Sequence, residues 1–319
     1  MAAAADSTTT IARPSVRSRV FRFDEKVAPY VLIAPFFVIF AIFGVFPLLY
    51  TAYVSMTDRN LLDPTFAFIG LDNYRQLVGD DYFWNAVTNT LGIWVLSTVP
   101  QLLIALGLAH LLNRSLRVRT LFRMSVLLPQ VTSLVAVALI FTELFAHDYG
   151  LVNYLLNQVG IASVDWEAGR LSSWAALSVM ITWRWAGYNA LIYLAAMQGI
   201  PDELYEAAEI DGATRWQQFR HITIPQLRPT IIFTVIVSTI GGLRIFTEPF
   251  LFESNPGVAQ GGSGRQFQTV TMYLYEKAFA GGQFDFGYAS AIAWCLFLLI
   301  IVISLFNFLV VRRIRSAEA

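Results

Sequence analysis

From Gly287 to Val311 the chain carries no charged side chain. A helix needs about 20 predominantly apolar residues to cross a bilayer core, and several stretches here are longer than that. In lipid a backbone must satisfy its own hydrogen bonds, so such stretches are helices. The fold class that follows is an all-α integral membrane protein. Composition agrees: 56% of the 319 residues are hydrophobic, 14% are charged, and mean hydropathy is +0.56. A soluble chain of this length would form about two domains. Here the core lies between helices in the bilayer instead.

Apolar length predicts six transmembrane helices, over 28–55, 86–112, 121–145, 173–198, 229–252 and 287–311. The first carries Pro35 and Pro47, the second Pro100, the third Pro129 and the fifth Pro249. Neighbouring helices in a bundle can satisfy the backbone groups that such prolines free. Residues 1–27 are rich in Ala, Ser, Thr and Arg and read as a disordered cytoplasmic tail. They do not read as a cleaved signal peptide, because the apolar run starts late, is too long and lacks a small-x-small site. The organisation expected is this tail, then 28–85 as first helix and external loop. Residues 86–312 follow as a core domain containing the loop 199–228, and 313–319 as a second cytoplasmic tail.

Arginine and lysine set the orientation. Arg13, Arg17, Arg19, Arg22 and Lys26 precede the first helix, and Arg114, Arg117, Arg119 and Arg123 stand around the start of the third. Arg215, Arg220 and Arg228 lie between the fourth and fifth, and Arg312, Arg313 and Arg315 follow the sixth. The alternate loops are poorer in positive charge. Both termini and residues 199–228 are therefore expected in the cytoplasm. Small residues recur four apart at Ala105 and Ala109, Ala186 and Ala190, and Ala289 and Ala293, a spacing that lets helices approach closely. Intramolecular packing accounts for them without a dedicated dimer seam. Cys295 is the lone cysteine and forms no internal disulfide. His110, His147 and His221 show no metal-ligand spacing, so no metal site is expected.

The polar stretch between the fourth and fifth helices is the most specific feature. Ile200-Pro201-Asp202-Glu203 starts a helix, with proline in the first turn and two carboxylates at the positive end of the dipole. Gly212 supplies the backbone freedom to end it and turn. A second helix carries Trp216, Phe219 and Ile222 on one face, and Pro225 is expected to stop it. A loop lying idle at the interface explains the amphipathicity, but not Glu206-Ala207-Ala208, Gly212 and Ile222-x-Ile224-Pro225 in one register. Nucleic acid is excluded as a partner. Asp202, Glu203, Glu206, Glu209 and Asp211 face only Arg215 and Arg220, and would repel phosphate.

This register, with Asp211-Gly212-Ala213, resembles the coupling motif of ABC importer permeases, and within them the MalF-like carbohydrate-uptake branch. Phe68-Ile69-Gly70-Leu71-Asp72-Asn73-Tyr74 and Phe286-Gly287-Tyr288-Ala289-Ser290-Ala291 are similar to two further segments of that family. The resemblance covers most of 28–312. It departs from the family at Ile224, where leucine is common, and over 253–264, where a short Thr-x-Gly-Gly-Pro-like turn is usual. It implies a type I ABC importer permease fold in the cell membrane of a bacterium or archaeon, with a coupling helix-turn-helix between spans four and five. It implies a second related permease, two cytosolic ATPase subunits holding MgATP, and an extracytoplasmic binding protein that delivers a sugar. Glu206, Ala207, Ala208, Asp211, Gly212, Ala213, Ile222 and Pro225 would then meet the ATPase. The chain has no Gly-rich phosphate loop of its own, so it is not expected to be an enzyme.

Ionisable residues within spans are functional candidates, because burying them in lipid is costly. Arg184 lies in the fourth helix. Arg244 and Glu248 are four apart in the fifth, where a mutual ion pair and substrate contact both fit. Tyr188, Asn189, Phe246, Tyr288 and Trp294 offer the stacking faces and hydrogen bonds a sugar requires, although helix packing also accounts for each aromatic ring. A secondary carrier driven by an ion gradient would share the spans and buried charges but not the loop motif. A membrane enzyme would need a nucleophile or metal pattern that is absent.

Overall fold

The computed structural model describes residues 16–63, 65–113, 118–253, 258–280, 282 and 284–316. The chain divides into two compact units, Met1–Tyr53 and Val54–Ala319. The first contains α1 (Val16–Phe40) and nearly all of α2 (Phe46–Val54). A widened turn over Ala41–Val45 joins them, closed by the Phe46 N–H donating to the Ala41 carbonyl. Pro47 follows at once. A proline ring clashes with the carbonyl four residues back, here that of Phe43, which lies inside the widened turn. The helix thus passes a proline without breaking. Of the tail expected over 1–27, residues 1–15 lie outside the described residues, and from Val16 onward the chain is helical, not disordered.

The second unit begins with α3 (Asp72–Val78) and the long α4 (Asp81–Leu112). Next come α5 (Arg119–Val131), α6 (Leu134–Leu144), α7 (Leu151–Gln158) and α8 (Arg170–Met197). Then follow α9 (Asp202–Ile210), α10 (Arg215–Gln218), α11 (Ile224–Leu243) and α12 (Thr247–Phe252). The unit ends with α13 (Val270–Tyr275) and α14 (Phe286–Ser316). Of the tail expected over 313–319, residues up to Ser316 continue α14 and the last three lie outside the described residues. The segment Phe68–Tyr74 is tied down locally: the Asn73 amide donates to the carbonyls of Ser55 and Thr57, both at 2.9 Å.

Helices α4 and α8 form the spine of this unit. Ala105 and Ala109 on one meet Ala190, Tyr193, Leu194 and Met197 on the other, joined by Phe219 and Leu227. The small residues therefore serve intramolecular packing. Toward the opposite end of α8, Ile93, Leu177 and Met180 pack with Val137 and Phe141 of α6 and with Phe252 and Phe267. A third cluster sets Tyr288, Ile292 and Leu296 of α14 against Phe83 and Val87 of α4.

Among the described residues, four helical stretches are long and apolar enough to cross a membrane: Val27–Val54, Asp81–Leu112, Arg215–Leu243 and Phe286–Leu309. The third expected span is not one rod. It bends by 89° between Thr120–Val131 and Leu134–Leu144 and makes a fifth only if the pair counts as one. Helix α8, the expected fourth, forms unbroken over 28 residues, though it is not among those apolar stretches. The fifth also breaks, because α11 stops at Leu243 and α12 restarts at Thr247. Pro225, expected to end the second arm of the polar loop, instead lies inside a continuous helix. A widened turn over Phe219–Thr223, closed by the Ile224 N–H to the Phe219 carbonyl, precedes it. The clashing carbonyl of His221 lies within that turn, as Phe43 does before Pro47.

Candidate functional site

Helices α9 and α10 form a hairpin at one end of the α4–α8 spine. Its turn is set by local bonding. Gly212 has φ +79° and its N–H donates to the Glu209 carbonyl at 3.0 Å, while the Ala213 N–H reaches the Ala208 carbonyl at 2.9 Å. These are the paired bonds of a Schellman turn, with glycine in its left-handed position. One residue later Thr214 and Gln217 make a reciprocal capping box that starts α10. The sequence signal Thr-x-x-Gln was there to read and was passed over. Tyr205 was also missed. Its hydroxyl meets Thr223 Oγ1 at 2.9 Å and ties the two arms together.

The expected coupling residues sit on this hairpin and its continuation. Glu206, Ala207 and Asp211 are exposed and Ala208 and Ala213 half-buried. Ile222 is half-buried in the widened turn, and Pro225 is exposed on α11. Apolar side chains also point outward: Ile210 is 87% exposed and Trp216 68%. At the base, the Phe219 ring packs 4.5 Å from that of His110. Phe219 joins the cluster shared by α4 and α8, so the hairpin is continuous with the spine.

The expected pathway residues separate into two groups. Arg244 and Glu248 form no ion pair among the described residues. The helix ends between them, leaving Arg244 exposed as the cap of α11 and Glu248 buried in the first turn of α12. The cation whose charge acts on Glu248 is Arg184, half-buried on α8. Arg184 also donates to the Thr132 carbonyl at 3.3 Å, at the bend between α5 and α6. Arg184 is thus bonded at the α5–α6 break, and its charge reaches Glu248 at the α11–α12 break. Phe246 stacks on Phe250 at 5.0 Å and approaches Tyr275 at 5.3 Å. Tyr188 is exposed with its ring edge-on to Trp185, and buried Asn189 donates to the Trp185 carbonyl. Trp294 is half-buried, and its Nε1 has no hydrogen-bond partner among the described residues. Tyr288 is withdrawn from the group, because its buried hydroxyl donates to Asp80 Oδ2 at 2.5 Å.

Asp80 is the hub at the far end of the spine. It caps α4 by accepting the Tyr82 N–H at 2.9 Å and also accepts the hydroxyls of Tyr273 and Tyr288. Burial pushes its carboxyl up, but these hydrogen bonds outweigh burial and hold it below the usual aspartate range. A depressed carboxyl contributes stability above the unfolded value, about pH 4, and loses it as pH falls through the folded value. Asp80→Ala is therefore expected to lower the melting temperature at neutral pH. Loss of a cap alone costs about 1 kcal/mol. The gap to wild type should narrow as pH drops below about 4. Melts in detergent across that range check this; a gap independent of pH would show that the carboxylate charge contributes nothing.

Beside Asp80, the loop before α13 is locked onto α4. Arg265 makes a two-pronged ion pair with Glu276 at 2.6 and 2.7 Å. Its carbonyl accepts the amides of Asn85 and Asn89 at 2.7 and 2.8 Å. Buried Gln268 donates to Glu276 at 2.6 Å and to the Ala259 carbonyl at 2.8 Å. Within the unusual stretch 253–264, residues 254–257 lie outside the described residues.

Comparison with known proteins bears on this arrangement. Residues 101–316 match the family model of the binding-protein-dependent transport system inner membrane component. The chain is 37% identical over 292 residues to the arabinooligosaccharides transport system permease protein AraP of Halalkalibacterium halodurans, covering 90% of this chain and 89% of that one. It is 35% identical to the lactose transport system permease protein LacF of Rhizobium radiobacter, covering 93% and 98%. A crystal structure of a bacterial alginate ABC transporter, in complex with an alginate pentasaccharide-bound periplasmic protein, contains a chain that superposes with TM-score 0.78. That chain is 25% identical, with coverage of 93% and 98%. An all-helical, multi-pass membrane protein of a transport class is what fold and relatives define together. The chain belongs to the binding-protein-dependent transport system inner membrane component family.

Proposed function

We propose that this chain is a permease subunit of an ATP-driven type I importer, lining the path of an oligosaccharide across the cell membrane. The observation that carries the coupling role is the hairpin. A Schellman turn, a capping box and the Tyr205–Thr223 bond fix its shape. Among the described residues Ile210 and Trp216 are left outward and largely uncovered. Exposed apolar side chains on a rigid, polar-rimmed projection suit a protein partner. That partner is a cytosolic ATPase subunit, present in two copies and holding MgATP, with ATP hydrolysis belonging to it and not to this chain. A second related permease completes the path, and an extracytoplasmic binding protein delivers the sugar. The sugar class is carried over from the names of the relatives, which transport arabinooligosaccharides and lactose.

The hairpin runs directly into α8 on one side and, through the widened turn, into α11 on the other. A push on it therefore moves both helices. Arg184 and Glu248 lie farther along the same helical frame, at the breaks where the path can change shape. The bias of arginine toward alternate loops supports a cytoplasmic hairpin and cytoplasmic termini. On this reading the core 86–312 spans the membrane five times after a first helix, the third crossing being the bent α5–α6 pair.

The test uses the full importer purified from its native membrane through a tag on this chain. Glu206→Lys reverses an exposed charge on α9 without disturbing the fold. It should reduce co-purified ATPase about tenfold, equivalent to about 1.4 kcal/mol of interface free energy. Insertion and melting temperature should stay at wild-type values. Undiminished ATPase recovery together with undiminished sugar uptake would remove the coupling role from this hairpin.

A further inference from the structure

At the end of α8 opposite the hairpin lies a cavity of about 640 Å³. Its walls are the last turn of α6, the residues just after it, those just before α8, and those following α12. Asn153, itself buried, holds two of these walls together. Its amide donates to the carbonyls of His147 and Val164, and its oxygen accepts the Val164 N–H and the Trp166 indole. Four carboxylates line the space: Asp148, Asp165, Glu167 and Glu253. No lysine or arginine does. The lining histidine, His147, is spent on Asp148 at 2.8 Å.

Glu253 shows that this wall is incomplete. It is 6% exposed, and its Oε2 has no hydrogen-bond partner among the described residues. Its Oε1 accepts a long 3.4 Å bond from the Gly262 N–H. Burial pushes its carboxyl up, and the neighbouring Glu167 adds to this against the pull of the backbone N–H groups of residues 260–262. A buried carboxylate oxygen without a partner costs free energy until a donor or a cation reaches it. Carboxylates are acceptors only. A neutral ligand would bring hydroxyl donors yet leave the like charges of these carboxylates gathered around one space, whereas a cation answers both needs. A metal ion does not fit, because among the described residues no three His, Cys, Asp or Glu side chains are grouped closely enough to hold one. Carboxylates spread around a wide cavity suit an ammonium or guanidinium on a flexible stem.

We propose that this cavity receives lysine or arginine side chains of the extracytoplasmic binding protein, so that its acidic wall steers and anchors that partner above α8. This rests on the importer reading and names the chemistry of one of its partners. Charge complementarity of this kind acts on association rate and register, and weakens with salt.

The experiment titrates the cognate binding protein against the intact importer and reads stimulated ATP hydrolysis. In wild type the half-saturating concentration should rise steeply between about 50 and about 300 mM salt. Asp148→Asn combined with Glu253→Gln should raise it about tenfold at low salt and flatten the salt dependence. Asp148→Lys, a charge reversal on a side chain that is 86% exposed, should do the same without touching the buried carboxylate. A wild type that the binding protein fails to stimulate would count against the importer reading itself. A stimulated wild type with unshifted titrations in both variants would overturn the cavity's role alone. Stimulation abolished by EGTA at constant excess magnesium and restored by calcium would also overturn it, in favour of a metal.

Discussion

Gly212→Val is expected to strip the ATPase from the purified importer, whereas Gly212→Asn leaves most of it bound. Both effects come from the backbone and not from packing. A Cβ built at Gly212 meets nothing within 4 Å, so added bulk has room. The residue stands at φ +79°, however, where an L side chain costs about 1–2 kcal/mol and a β-branched one costs more. Asparagine visits this region far more readily than valine. Valine would relax by leaving the left-handed conformation. That breaks the Gly212 and Ala213 bonds back to Glu209 and Ala208 and re-aims α9 relative to α10. The Thr214–Gln217 box and the Tyr205–Thr223 bond would then pull on a misplaced arm. ATPase recovery should fall at least about tenfold for valine and less than about threefold for asparagine. Melting temperature should move little in either, since the hairpin contributes few buried residues. Equal losses in the two variants would point to side-chain volume and away from turn geometry.

The turn of the hairpin is legible in the sequence because its signals are local. The helix-starting carboxylates, Gly212 and the Thr-x-x-Gln box each act on backbone within four residues of themselves, whereas the Tyr205–Thr223 bond joins residues 18 apart. Helix positions were legible for the same reason where the helix is straight: 86–112 became Asp81–Leu112 and 287–311 became Phe286–Ser316. The breaks were not. Apolar length does not mark Thr132 or Ile245 as a break, and what bonds the freed carbonyls there comes from elsewhere in the chain. Arg184 answers Thr132, and the hydroxyls of Thr269 and Thr271 answer Ile245 at 3.1 and 2.5 Å. That is why Arg244 and Glu248, four apart in sequence, are not one helical pair. Tyr288 looked like a pathway residue because Asp80, its acceptor, lies more than two hundred positions away. The acidic cavity was invisible on the same grounds. Its carboxylates come from three separated segments and share no spacing.

The largest loss of stability should follow Gly187→Ala. A Cβ there would lie 1.8 Å from the Val126 carbonyl oxygen and 2.8 Å from its carbon. Both atoms are backbone in α5, so no rotamer change relieves the overlap, and α5 must move off α8 as a body. Overpacking of a fitted core costs about 1–3 kcal/mol. A clash with main chain belongs at or above the top of that range. Displacing α5 would also carry Thr132 away from Arg184, three residues before Gly187 on α8, and leave a half-buried guanidinium short of an acceptor. Gly107→Ala is the matched control. It too replaces a helical glycine, but a Cβ at Gly107 meets nothing within 4 Å. By helix propensity alone it should stabilise by about 0.5–1 kcal/mol. The two variants should therefore move the melting temperature in opposite directions when measured in the same nanodiscs. The bend between α5 and α6 gives the comparison its functional meaning. If close approach at Gly187 positions the broken helix, Gly187→Ala disturbs the place where half-buried Arg184 answers the freed carbonyl of Thr132. Transport should then fall further than the loss of folded protein accounts for. Matching melting temperatures for Gly187→Ala and Gly107→Ala would mean that α5 yields freely and that the bend is not held by this contact.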